Sequence, residues 1–157
     1  MHRHAERFQE KLAALGEPGR VRETETSAHT AAEAAAALGV PVAAIVKSLV
    51  FLLGTPDGAD PLLVLVSGPN RVDLELVGRA AGGELSKADA ATVKAATGYS
   101  IGGVPPLGHR APLRTLIDRD LLGLEVLWAA AGTPSAVFPI APDRLVALSG
   151  GEVVRVS

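Results

Sequence analysis

The sequence predicts a mixed α+β fold, a mixed or largely antiparallel sheet with short helices around it, and three observations carry that expectation. Strand candidates and short helical segments interleave along the chain, but not as regular βαβ units of about 30 residues. The longest apolar run, Ile45-Val46-Lys47-Ser48-Leu49-Val50-Phe51-Leu52-Leu53, is followed by turn chemistry and then a second apolar run. The length of 157 residues and the 48% apolar content suit one domain with a real core, taken here as residues 1–157 with residues 1–18 forming an N-terminal helical arm.

Each element has its own warrant. From residue 3 to about residue 15 the spacing of Phe8, Leu12 and Leu15 makes one apolar stripe, which Gly16 and Pro18 end. Arg20 to Glu25 alternate as a short strand. Thr30 or Ser27 caps the alanine-rich segment Ala31 to Leu38, and Gly39 and Pro41 close it. Ile45 to Leu53 and Leu62 to Ser67 are strands joined through Gly54-Thr55-Pro56-Asp57-Gly58; Gly68-Pro69-Asn70 makes the next turn. Asp73 to Ala81 is a helix with Leu74 and Val77 inward, stopped by Gly82-Gly83. Asp89 to Thr97 is another, with Ser86 as its cap and Gly98 at its end. Arg114 to Ile117, Glu125 to Ala130 and Ala136 to Ile140 are strands, Pro139 marking an edge or a bulge. Pro142 opens a helix through Leu148, Gly150-Gly151 ends it, and Val153 to Val156 is a last strand.

Composition excludes several kinds of chemistry. With no cysteine there is no disulfide, thiolate metal site or cysteine nucleophile, and a reducing, cytoplasmic setting is compatible. No apolar run reaches the roughly 18 residues of a membrane span, and Met1 to Glu6 lack the layout of a signal peptide. The formal net charge of −2 and the absence of a basic run argue against a protein that coats nucleic acid, leaving room for a small contact with one RNA end. Aromatics at 3% are too few for a platform that stacks several bases. His2 and His4 begin the chain; His29 and His109 lie in loops, where each is a proton carrier, a pocket wall or an ordinary surface histidine. No metal-ligand spacing and no Gly-x-Ser-x-Gly elbow is present. Asp118, Asp120 and Asp143 fall near helix starts and read as caps.

Lys47 stands out. Strand alternation groups it with Leu49, Phe51 and Leu53, and Ser48 with Val46 and Val50. An ammonium on such a face is costly unless an anion pairs with it or its head reaches water. The strand alone leaves two readings open, a strand-end lysine that snorkels to solvent and a functional cation. Two glycine-bearing loops lie downstream, Gly98 to His109 with its Gly102-Gly103 pair, and Ala129 to Ser135 around Gly132. Paired glycines allow positive φ and close backbone approach to a ligand, although a tight loop and a hairpin turn are equally good structural explanations. Neither loop has the Rossmann or P-loop spacing.

Taken in order, Val46-Lys47-Ser48-Leu49-Val50-Phe51, Gly68-Pro69-Asn70-Arg71-Val72-Asp73, Thr97 to Gly108 with Gly102-Gly103-Val104-Pro105-Pro106, and Gly132-Thr133-Pro134 resemble the YbaK/ProX family of aminoacyl-tRNA deacylases, freestanding relatives of the editing domain of prolyl-tRNA synthetases. The resemblance spans about residues 25 to 157. It implies a mixed, partly barrel-like sheet, an aminoacyl-tRNA hydrolase that cleaves the carboxylic ester of a mischarged tRNA, tRNA(Pro) foremost, and no cofactor or metal. It favours the functional reading of Lys47, whose implied role is to hold the tRNA 3′ end. Gly102 and Gly103 would offer amides to the aminoacyl carbonyl or the terminal ribose, and Gly132 would serve from the second loop. Thr30, Ser48, Ile101, Pro105, His109 and Thr133 complete the implied substrate-binding set. Water or the substrate's own side chain would be the nucleophile, assisted by the neighbouring ribose hydroxyl.

Departures from the resemblance bear on substrate. Some relatives carry tyrosine at about Thr30, and a serine or acidic side chain where Ala130, Ala136 and Val137 stand, so a more apolar pocket is expected. The expected partners are the aminoacyl-tRNA 3′ end, in a salt-sensitive, small-footprint contact, and a prolyl-tRNA synthetase. A non-catalytic module that binds an aminoacyl-tRNA or nucleotide end and docks on a synthetase is the alternative reading.

Overall fold

The chain is described by a computed structural model over residues 1–24 and 30–157. At its centre is an antiparallel hairpin of β2 (Ile45–Thr55) and β3 (Gly58–Ser67), paired from Val46↔Ser67 to Thr55↔Gly58. The strands are longer, and the turn shorter, than the expected 54–58 turn and Leu62 start. Apolar pattern marks only the buried part of a strand, whereas exposed ends such as Gly58 to Asp60 are held by main-chain bonds alone.

Around the hairpin lie β1 (Arg22–Glu23), β4 (Leu85–Lys87), β5 (Arg114–Asp118), β6 (Leu127–Ala130), β7 (Ala136–Ile140) and β8 (Glu152–Val154). They make an eight-stranded mixed sheet in the order β1-β7-β6-β2-β3-β5-β8, with β4 added to β2. The pairs β2–β6, β3–β5 and β5–β8 are parallel and the others antiparallel. The mixed sheet with peripheral short helices agrees with expectation. Several bounds shift for reasons of pairing. Only Arg22 and Glu23 find partners on β7, while Glu25 and the alternative cap Ser27 lie outside the described residues. β8 stops at Val154 because the Val156 carbonyl accepts from Asp73 N–H at the start of a helix. Pro139 sits where β7 has β6 on one side and no ladder on the other, since β1 reaches only Ala136 and Val137.

Among the described residues five α-helices flank the sheet: α1 (Arg3–Ala14), α2 (Ala31–Leu38), α3 (Leu74–Ala81), α4 (Ala90–Thr97) and α5 (Pro142–Ser149). Thr30 caps α2 and Asp73 caps α3. Asp89, not Ser86, caps α4; its carboxylate accepts from Thr92 N–H, and Ser86 belongs to β4 opposite Leu52. The buried stripe of α1 is Ala5, Phe8 and Leu12, with Leu15 past the last turn and exposed. In α3 the stripe is Val77, Gly78 and Ala81, and Leu74 is exposed because it opens the first turn, ahead of the part that meets the core.

The period-2 pattern of β2 and β3 feeds two cores, one on each face. Val46, Val50, Leu63 and Leu65 join Phe8, Leu12, Leu127, Phe138 and Leu145. Phe51, Leu53, Leu62, Val64 and Val66 join Val77, Leu85, Leu116 and Val156. Phe8 and Phe138 place their ring centroids 4.9 Å apart and are fully buried, which fastens α1 to β7. Phe8→Ala is expected to cost about 3–5 kcal/mol of folding free energy, read from urea denaturation midpoints at constant slope.

Candidate active site

β2 has a continuous partner in β3 on one side. On the other it pairs with β6 at Ile45 and Val46, and with β4 from Phe51 to Leu53. Between those ladders, residues 47–50 have no strand partner on that side among the described residues. Gly54 N–H donates to Glu84 O, so strand alternation turns the main-chain groups of Ser48 and Val50 toward the same gap. β6 and β4 part here, and a cavity of about 670 Å³ fills the opening. Val46, Ala129, Ala136, Val137 and Val104 give it an apolar interior. Thr30 and Ala31 of the α2 start, Gly68 and Pro69 of the turn after β3, and Ile101 and Gly102 of the first glycine loop also border it.

The charged residues lining the cavity, among the described ones, are Lys47 and Arg71, both cationic. Lys47 is half-buried, and its Nζ donates to the Asn70 carbonyl at 2.5 Å. Burial pulls the Lys47 pKa below the ordinary lysine value, the Arg71 charge adds to this, and the Asp118 carboxylate opposes it. Lys47 therefore does not snorkel freely and, among the described residues, sits in no ion pair; a main-chain acceptor holds it at the cavity wall. Ser48 Oγ, from the other face of the strand, is buried at the cavity with no hydrogen-bond partner among the described residues. Buried hydroxyls are rarely left so, and one that borders a cavity is available to a ligand.

The first glycine loop forms a turn closed by Gly103 N–H donating to Ser100 O at 3.0 Å. Gly102, at φ 88°, occupies the turn position that favours glycine. Gly103 is buried behind it, where an added Cβ would lie 2.8 Å from Thr133 Cα and 3.0 Å from Gly132 O. The two glycine loops thus press against each other. Ile101 stands exposed at the rim.

The predicted residues divide accordingly. Lys47, Ser48, Thr30, Ile101 and Gly102 come together at the cavity. Gly103, Pro105, His109, Gly132 and Thr133 are not among its lining. Gly132 and Thr133 border a neighbouring hollow of about 420 Å³ with His2, His4, Glu23 and Ser100, sharing Pro134 with the main cavity. Pro105 is buried, and its carbonyl accepts from His109 Nε2 at 2.7 Å. Lys11 Nζ donates to Gly108 O, so this end of the loop is braced to α1. Burial lowers the His109 pKa, the Pro105 carbonyl raises it, and Lys11 lowers it. His4 is lowered mainly by burial and by His2. His29 lies outside the described residues. Thr30 spends its hydroxyl as the acceptor for Glu33 N–H. Among the described residues no group of three or more His, Asp or Glu is placed to hold a metal ion, and no helix is long and apolar enough to cross a membrane.

Sequence reading did not single out Arg71, Trp128 or Val104. Arg71 was readable, since it directly follows the Gly68-Pro69-Asn70 turn. Trp128, the only tryptophan, lines the cavity with Arg22 Cζ 5.3 Å from its ring centroid.

With that geometry in place, comparison decides the family. The model of the aminoacyl-tRNA editing domain matches residues 25–148. The chain belongs to the aminoacyl-tRNA editing domain family. A solved structure described as a candidate trans-editing enzyme for prolyl-tRNA synthetase is 45% identical with a TM-score of 0.91, covering 100% of this chain and 98% of that one. EbsC of Enterococcus faecalis, named as a candidate Cys-tRNA(Pro)/Cys-tRNA(Cys) deacylase, is 25% identical over 82% of this chain and 78% of its own. Proline–tRNA ligase of Desulfovibrio desulfuricans is 38% identical over 61% of this chain, which spans only 16% of that longer protein. The cavity lies within the matched segment of the editing domain, whereas α1, which braces the glycine loop, precedes it.

The contact between the two loops gives a direct test. Gly103→Ala should cost about 1–3 kcal/mol, because backbone on both sides must give way; thermal unfolding of the purified variant measures it, and an unchanged transition would show that the loops can separate freely.

Proposed function

We propose that this editing domain hydrolyses, in trans, the ester between a wrong amino acid and the 3′ end of a tRNA, tRNA(Pro) in the first instance. The similarity to a structure described as a candidate trans-editing enzyme for prolyl-tRNA synthetase supports the tRNA and the trans mode, and the stretch shared with proline–tRNA ligase supports a synthetase as partner. Work on aminoacyl-tRNA sets the activity in the cytoplasm. The observation that carries the reading is the cavity itself: two cations at its wall, a turn backbone at its rim, and an apolar interior with one orphan hydroxyl.

Lys47 and Arg71 attract the phosphates of the terminal nucleotides and orient the end without reading sequence. Gly102 lines the cavity and would offer its amide to the ester carbonyl, while Gly103 has committed its own amide to the turn and serves by packing the two loops together. Water adds to the carbonyl carbon, and the terminal ribose hydroxyl next to the ester relays one of its protons. The ester C–O bond then breaks, the ribose oxygen takes that proton, and the amino acid leaves as a carboxylate with the second proton passing to solvent. Where a side-chain hydroxyl or thiol of the substrate attacks instead, the same C–O bond breaks, the ribose oxygen takes the side-chain proton, and the amino acid leaves as a cyclic ester or thioester that water opens afterwards. The developing oxyanion meets an amide and a nearby ammonium, the arrangement that yields the largest rate gains in acyl transfer. No side-chain nucleophile is required.

Ser48 decides among amino acids. The apolar walls accept a small side chain, and the free hydroxyl favours one that carries a hydroxyl or thiol over its aliphatic counterpart.

Two expected outcomes check this reading. Lys47→Ala should lower deacylation of the preferred mischarged tRNA on the order of 100-fold with the fold retained, measured by release of labelled amino acid from a panel of mischarged tRNAs. Full turnover in that variant would remove Lys47 from the site, and protection of the ester by wild-type protein would favour the non-catalytic binding module. Ser48→Ala should shrink the preference for seryl or cysteinyl over alanyl esters by about 10-fold, the worth of one hydrogen bond; an unchanged preference would move selection elsewhere.

A further inference from the structure

We propose that Asp118 is a positioning residue for Lys47, acting through the turn that follows β3. Asp118 ends β5 and is 1% exposed. A cap needs one acceptor, and Oδ1 provides it by accepting from Asp120 N–H at 3.0 Å. Oδ2 does something no cap requires. It reaches across to the neighbouring strand's end and accepts from Ser67 N–H at 3.0 Å and from Asn70 Nδ2 at 2.8 Å. Asn70 Nδ2 also donates to Asp120 Oδ2 at 2.7 Å, and Asn70 N–H closes the turn onto Ser67 O at 2.9 Å. The Ser67 hydroxyl donates to Ala43 O at 2.7 Å, tying the same turn to the segment that leads into β2. The Asn70 carbonyl, fixed by this set, accepts the Lys47 ammonium.

A buried carboxylate is expensive to desolvate. Among the described residues Asp118 has no cation in ion-pair contact; N–H donors are its direct partners, and the Lys47 charge acts on it only from a distance. Its retention at that cost makes sense if the turn it holds matters. A lysine side chain has four rotatable bonds and no preferred direction of its own. A rigid carbonyl aimed at Nζ supplies that direction, and Asp118 with Asn70 supplies the rigidity. The charge of Asp118 also counters the neighbouring Arg71, helping Lys47 to keep its proton. The inference rests on the role given to Lys47 above, but its geometry can be tested separately.

The test uses the full chain and the variants Asn70→Ala and Asp118→Asn. Asn70→Ala keeps the main-chain carbonyl and removes only its clamp; since Asn70 lies in a partly exposed turn, this variant is informative even if Asp118→Asn fails to fold. Two readouts are taken: kcat and KM for deacylation, and the rate of trace acetylation of Lys47 by acetic anhydride, followed by peptide mass spectrometry with exposed Lys87 as the internal reference. In folded variants kcat should fall about 10-fold with KM little changed, as expected when the ammonium beside the developing oxyanion is misdirected while Arg71 still holds the phosphates. The Lys47/Lys87 acetylation ratio should rise several-fold. An unchanged ratio overturns the proposal, whether or not activity falls, because a merely structural defect would leave Lys47 chemistry alone. If wild-type protein deacylates nothing, a raised ratio still supports the positioning role while the deacylase reading falls.

Discussion

The site depends on an interruption in main-chain pairing. β2 is bonded to β3 over its whole length, which fixes it rigidly, yet on its other side β6 leaves after Val46 and β4 arrives only at Phe51. A strand with one continuous partner stays straight through such a gap; a strand with none would collapse into it. The hairpin therefore keeps open a space that hydrophobic burial would otherwise close. It also presents Lys47 and Ser48 from opposite faces of one strand at the rim of one cavity. That is how a lysine on the face of one core and a serine on the face of the other come to line the same cavity.

The surrounding loops are held by contacts that cross the chain. The two glycine loops meet because Gly103 has no Cβ and Gly132 lies against it. Behind them, α1 contributes Phe8 to the core, and Lys11 anchors the Gly108 carbonyl. On the opposite wall, Asp118 gathers the Ser67 and Asn70 donors, so the turn bearing the Lys47 acceptor moves with β5 rather than with solvent. For the proposed hydrolysis, which would have to align an ester within a fraction of an ångström, walls that are each fastened to the sheet are an advantage.

Much of this was legible in the sequence, for physical reasons that can be named. A lysine in an apolar run violates local patterning, and such violations collect at functional sites. Gly102-Gly103 announced a positive φ and a backbone open to close approach by a ligand; Gly102 has the positive φ, while the close neighbour of Gly103 is the second glycine loop. The interruption between β6 and β4 was not legible, because register between strands some eighty residues apart leaves no local signature. Asp118 read as a cap because its near partner, Asp120, is two residues away; its informative partners, Ser67 and Asn70, are about fifty residues distant. β4 was missed for a similar reason, since three residues with mixed polarity become a strand only through β2. His109 illustrates the converse: a loop histidine suggests chemistry, yet its Nε2 is taken up by Pro105 and its ring braces the loop.

The electrostatics of the cavity also limit what can bind. Lys47 and Arg71, with no carboxylate among the described lining residues, disfavour a free amino acid entering by its ammonium. Under the proposed function an aminoacyl ester on an RNA end would bring phosphates that offset this repulsion, so the tethered form would be favoured over the free one before any side chain is read. Selection of the side chain then falls to the interior, where apolar walls alone separate neighbours by a methylene at only about 1–3 kcal/mol. A single unpartnered hydroxyl in such walls has disproportionate influence, because a substrate that satisfies it removes a buried defect, whereas an aliphatic one leaves the defect in place. Under the proposed function recognition would divide in two: charge and backbone would hold what every aminoacyl-tRNA shares, and Ser48 would weigh what differs.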